Sequence, residues 1–118
     1  MERKDAGPSG GYRDWREALF REEHLLRPDD ATPRYALGVA AYDRGAYAEA
    51  ISHLSAAVAG EPTNTAAYQL LARAALALER PDEARRWLQR GIEAARQAYH
   101  HYHRQEMLGL LEQLDEPG

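Results

Sequence analysis

The sequence predicts an all-α fold, an α-solenoid of tandem helix-turn-helix repeats, and three observations predict it. Alanine fills 22 of the 118 positions, while Val, Ile and Thr together fill only seven. That is too few β-branched residues for a sheet and a surplus of the best helix former. Apolar residues recur at helical spacing in stretches that Gly and Pro interrupt. Those stretches repeat at an interval of 34 residues.

Residues 1–11, MERKDAGPSGG, read as a disordered tail. They hold no apolar segment, so neither a secretory signal nor a membrane anchor is expected there. No apolar run anywhere reaches the roughly 20 residues that a spanning helix needs. Residues 12–118 suit a single domain, and an apolar share of 44% with 29% charged residues is globular composition rather than disordered.

The first helix is expected from about Tyr12 to Arg27, with Trp15, Ala18, Leu19, Leu25 and Leu26 as its apolar stripe, and it stops at Pro28-Asp29-Asp30. A second starts near Thr32-Pro33, where Thr can cap and Pro suits the first turn, and runs to Asp43. Arg44-Gly45 makes a short turn into a third, about Tyr47 to Ala59, which ends at Gly60-Glu61-Pro62. The fourth runs from about Thr65 to Leu78, capped by Asn64 or Thr65. Arg80-Pro81-Asp82 breaks it and opens a fifth, which carries acidic residues in its first turn and reaches at least Arg96. A last amphipathic stretch, about His103 to Leu114, closes before Pro117-Gly118. Between Gln97 and Arg104 there is no Gly or Pro, so one helix from Asp82 to Leu114 is sterically open; average helix lengths favour a break near Tyr99 to Tyr102.

A shift of 34 places Leu37 on Leu71, Ala40 on Ala74, Ala41 on Ala75, Glu49 on Glu83, Ala50 on Ala84 and Leu54 on Leu88. Gly38 falls on Ala72 and Val58 on Ile92. In an Ala-rich chain six identities are only about twice chance. Their placement says more, because the matches are small residues and leucines where two helices must touch, and the helix boundaries shift by the same period.

These residues resemble the tetratricopeptide repeat family. Leu37-Gly38, Gly45-x-Tyr47, Ala50, Leu54, Ala57 and Pro62 look like its signature, and Tyr68, Leu71-Ala72, Ala84, Leu88 and Gly91 look like a second copy. The second copy departs in having Pro81 where the first has Tyr47, and Arg96 where the first has Pro62. The resemblance implies repeats at about 31–64 and 65–98, flanked by capping helices at about 12–27 and 103–115. The first helix keeps Pro28, 34 residues before Pro62, and Phe20 in register with Leu54, but carries Arg16 where Ala50 and Ala84 sit. It looks like the second half of a degenerate repeat. Many bacterial members close with a segment like Gly91-Ile92-Glu93-Ala94-Ala95-Arg96 and a short helix, usually with Gly where this chain has Tyr99. Physical reasoning points the same way: Gly38, Ala40, Ala50 and Ala57 let backbones approach closely, Leu37 and Leu54 fill the space between, and each pair leaves an apolar face that only the next can cover.

The resemblance implies a concave surface, made by the leading helix of each pair, that receives an extended peptide or a partner helix. Its residues here are Tyr35, Val39 and Tyr42 from one helix and Gln69, Arg73 and Leu76 from the next. Tyrosines beside an arginine suit recognition, since aromatics and Arg dominate binding hot spots. The bland reading gives Tyr42 and Leu76 to the core. Tyr35, Val39, Gln69 and Arg73 are not demanded by packing that the small residues and leucines already satisfy. Some members hold acidic chaperone tails through a clamp of Lys, Asn and Arg; here the leading helices offer only Arg73, so that ligand is not expected.

A second candidate is Tyr99-His100-His101-Tyr102-His103. On a helix His100 and His103 share a face, with Glu106 or Met107 one turn on, and such a set could hold a divalent metal. Without further ligands at defined spacing the expectation is a solvated junction and no metal. His24 and His53 are isolated and read as surface or packing residues. The only serines are Ser9, Ser52 and Ser55, no Gly-x-Ser-x-Gly turn or phosphate loop occurs, and Glu22-Glu23 and Asp29-Asp30 read as capping and solvation. Neither catalysis nor a cofactor is expected. There is no cysteine, which excludes disulfides and thiolate chemistry, and the net charge of −4 argues against nucleic acid. The sequence therefore points to a cytoplasmic, non-catalytic interaction adaptor whose partner is another protein. A subunit that pairs with a second copy, giving a homodimer, is the alternative, and a His-cluster metal domain a distant one.

Overall fold

The computed structural model describes Glu17, Ala18, Arg21 and residues 31–116. The tail at 1–11, His24, Trp15 and most of the expected first helix lie outside the described residues. Five helices follow one another: α1 (Ala31–Asp43), α2 (Tyr47–Gly60), α3 (Thr65–Ala77), α4 (Pro81–Ala98) and α5 (His101–Asp115). No strand occurs among the described residues. The chain is an α-solenoid in which α1 packs on α2, α2 on α3, α3 on α4 and α4 on α5.

One buried leucine per helix marks the core. Leu37, Leu54, Leu71 and Leu88 stand 17 residues apart, half the repeat, and none is more than 2% exposed. Alanines at 41, 50, 57, 67, 72, 74, 75, 84 and 95 are fully buried between them. Small side chains at these contacts let the helix axes close together, and the leucines fill the remaining volume. Gly38 and Gly91 sit at the tightest approaches. A Cβ on Gly38 would stand 2.6 Å from Leu54 Cγ, and one on Gly91 would stand 2.5 Å from both Met107 Sδ and Tyr68 Cβ.

The helix ends correct several expectations. α1 begins at Ala31, so Thr32 lies inside the helix rather than at its cap. Asn64 occupies the N-cap of α3, but its side chain makes no capping bond, and the Thr65 hydroxyl is used elsewhere. Three C-termini share one device. Gly45, Glu79 and Tyr99 take φ of 80°, 60° and 61°. The next amide in each case reaches back five residues: Ala46 N–H to Ala41 O at 2.9 Å, Arg80 to Ala75 at 2.9 Å, His100 to Ala95 at 2.9 Å. This is the left-handed termination that glycine favours, and only Gly45 announces it in the sequence. The break after α4 falls at Tyr99-His100, so α5 starts two residues before the expected His103.

A ring of charges ties the N-terminal segment to the first turn. Glu17, 7% exposed, is paired with Arg44, and Arg21 reaches it at 2.6 Å. Glu49 closes the ring to Arg44 at 3.0 Å and to Arg21 at 3.4 Å, with His53 Nε2 3.6 Å away. Burial pushes the Glu17 carboxyl up, but hydrogen bonds and charge from Arg21 and Arg44 outweigh it and hold it below its usual range. Burial likewise lowers His53, against the pull of Glu49. Both groups bind protons more readily in the unfolded chain, so both stabilise the fold at neutral pH and lose that contribution as pH falls. For His53 the loss begins near the free imidazole value of about 6.5, and for Glu17 near about 4.3. The melting temperature should therefore fall in two stages on acidification, and His53→Gln should remove the first. Thermal scans at half-unit steps from pH 8 to 3 check this; identical wild-type and His53→Gln profiles between pH 7 and 5 would contradict it.

Candidate functional site

α1, α3 and α5 are the leading helices, and they lie side by side: α1 touches α3, and α3 touches α5. The trailing helices α2 and α4 do not meet in the same way. Leading helices that approach more closely than trailing ones curve the solenoid toward the leading side, and the repeat geometry makes that side a strip of successive helix faces.

All six residues named from the sequence lie on these helices and are half-buried: Tyr35, Val39 and Tyr42 on α1, Gln69, Arg73 and Leu76 on α3. They divide by what holds them. Tyr35, Tyr42 and Leu76 pack against the core cluster, so part of each side chain serves the fold. For Tyr35 this differs from the expectation that packing makes no demand on it; burial also pushes its phenol above the usual range. The Tyr42 ring meets that of Tyr47 edge-on at 5.5 Å, across the turn between α1 and α2. Val39, Gln69 and Arg73 are outside the core cluster. Arg73 leans toward α5, its Nη2 standing 4.0 Å from Glu106 Oε1. The strip therefore pairs an arginine with a carboxylate that sequence spacing had set aside as a possible metal ligand. Helical phase alone gives no signal for that pairing, because it depends on how α5 docks on α3.

The histidines gather, but not as a metal set. His100 lies before α5 rather than on it, and Met107 is fully buried under Gly91. His100 Nδ1 and His103 Nδ1 both stand 2.8 Å from the buried Thr65 hydroxyl. One hydroxyl donates to one ring and accepts from the other, which fixes opposite tautomers for the two neutral imidazoles. This links the start of α3 to the start of α5. Among the described residues no three of His, Cys, Asp and Glu come together as a metal site. On the trailing side, Arg90 lies over the Trp87 ring at 4.7 Å and beside Tyr68 at 5.8 Å, a stack that seals α4 on α3.

This strip on paired helices is the architecture of a helical-repeat protein. Tetratricopeptide repeat models match residues 41–106 and 13–65, the first more than half of the chain, and the chain belongs to the tetratricopeptide repeat family. No curated protein matches it. Among solved structures, PcrH in complex with the chaperone binding region of PopD is similar at a TM-score of 0.82 and 20% identity, covering 89% of this chain and 80% of that one. The type III secretion translocator chaperone SycD of Yersinia enterocolitica is similar at 0.81 and 18%, covering 89% and 73%. The first repeat domain of Spaghetti (RPAP3), bound to the HSP90 peptide SRMEEVD, is similar at 0.73 and 21%, covering 88% and 78%. These likenesses show the fold. None of the described helices is long and apolar enough to cross a membrane.

Proposed function

We propose that this chain is a non-catalytic adaptor of the cytoplasm that seats a peptide or helix of a partner protein along α1, α3 and α5. The observation that carries the reading is the continuous strip Tyr35, Val39, Gln69 and Arg73, whose aromatic, apolar and cationic groups stand on helices that touch one another. PcrH with its PopD segment and Spaghetti with its chaperone peptide support it, as proteins of this fold that were solved holding peptides. The cysteine-free composition is in keeping with the cytoplasm.

Gln69→Ala with Arg73→Glu is the variant of choice, because both side chains lie outside the core cluster. It should lower capture of the native partner from cell extract at least about tenfold, or about 1.4 kcal/mol. Its melting temperature should stay within a few degrees of wild type, as expected when surface substitutions cost about 0.5 kcal/mol or less. Undiminished capture would move the site to another face. A stable dimer in sedimentation, broken by the same variant, would give the strip to a second copy of the chain.

A further inference from the structure

The corner where α4 gives way to α5 holds features that neither the fold nor the groove uses. Between Glu93 and Glu106 the chain has no acidic residue, although its net charge is −4. Arg96, His100, His101, His103 and Arg104 all fall in that window. Tyr99 and Tyr102, 79% and 73% exposed, are the large apolar side chains left open to solvent among the described residues. Tyr99 stands at φ 61°, where glycine would sit without strain. An exposed ring in a disfavoured backbone conformation contributes little to folding, and such positions gather at binding sites.

Arg96, Gln97, Tyr99, His101 and Arg104 line one cleft of about 420 Å³. Glu93 holds Arg96 through bonds of 3.1 and 2.5 Å and Gln97 through one of 2.9 Å, which fixes that wall along α4. Arg104, opposite, is different. Its Nε is buried and finds no hydrogen-bond partner. A guanidinium that is already partly desolvated and lacks an acceptor gains more from an arriving carboxylate than a fully hydrated one does, and its planar fork matches that group.

We propose that this corner is a second docking surface, separate from the groove, for a carboxylate-rich segment of a partner protein. Arg104 and Arg96 receive the acidic side chains, and Tyr99 and Tyr102 cover the stems between them. Charge complementarity selects the occupant. Two guanidiniums on a body of net negative charge neutralise a short acidic stretch, whereas a nucleic-acid backbone or an anionic bilayer calls for a longer basic track.

A fluorescein-labelled hexaglutamate peptide, followed by anisotropy at low salt, tests this on the full chain. Saturable binding is expected, weakened at least about tenfold by Arg96→Gln with Arg104→Gln. Tyr99→Gly should weaken it too while melting at or above the wild-type temperature, a combination that a structural role for the ring would not give. The groove variant Gln69→Ala with Arg73→Glu should bind the peptide as wild type does, so the two surfaces stand or fall separately. Absence of saturation up to about 1 mM, well beyond the range of a specific weak contact, would overturn the proposal. So would unchanged binding by both corner variants, loss in the groove variant alone, or tighter binding to hexauridylate or phosphatidylserine vesicles than to the peptide. If the glutamine variant fails to fold, Tyr99→Gly still decides.

Discussion

Ala50→Asp should abolish cooperative folding. Ala50 is fully buried on α2, in the core cluster with Leu54, Leu71 and Leu88. An aspartate there must place a carboxylate among apolar side chains with no donor in the surrounding cluster. Burying a polar group without partners costs several kcal/mol, an unpaired charge more, and domains hold only about 5–15 kcal/mol in total. Overpacking adds to the loss, because the site has room for a methyl group and no more. Far-UV circular dichroism with a thermal scan reads the outcome. A cooperative transition at the wild-type temperature would contradict the close helix contact assigned to this position.

Gly91→Ala should cost about 3 kcal/mol, at the upper end of what an added methyl does in a packed core. Its new Cβ would meet Tyr68 Cβ and Met107 Sδ, each at 2.5 Å. Met107 can swing its sulfur aside, but Tyr68 Cβ is fixed to the backbone of α3, so α4 itself must move. Gly38→Ala gives the comparison. There the obstacle is Leu54 Cγ at 2.6 Å with Cδ2 at 2.7 Å, part of a side chain with other rotamers, and the expected cost is about 1 kcal/mol. Urea unfolding of both variants should rank Gly91→Ala well below Gly38→Ala. Adding Met107→Ala to Gly91→Ala should not restore stability, since the Tyr68 contact remains and a core methionine is lost. The reverse ranking would mean that α4 can shift on α3.

Much of the repeat was legible because it rests on residue size at fixed intervals. Leu37, Leu54, Leu71 and Leu88, and the alanines that align under the 34-residue shift, are buried where that shift implies. Gly45 marked its turn because the left-handed conformation there suits glycine. Glu79 and Tyr99 end their helices in the same way and gave no such sign. At those two places the ending is imposed by the packing of the next helix, which overrides the local preference of the residue.

The candidate site was legible only in part. Helical phase put Tyr35, Val39, Tyr42, Gln69, Arg73 and Leu76 on the leading helices, but could not divide those that serve the core from those left to a partner. The histidine cluster shows the limit most clearly. On a continuous helix His100 and His103 would face one way for local reasons; instead the chain turns at Tyr99, and both rings meet Thr65, which lies 35 and 38 residues earlier. The sequence by itself determined the helices, their pairing and the small-and-leucine core, because these depend on composition and period. Only the tertiary structure decided the Glu17–Arg44–Glu49–Arg21 ring, the Arg73–Glu106 pair across α3 and α5, and the cleft at Arg104. These depend on how far each helix rotates and slides on its neighbour, and no spacing along one chain records that.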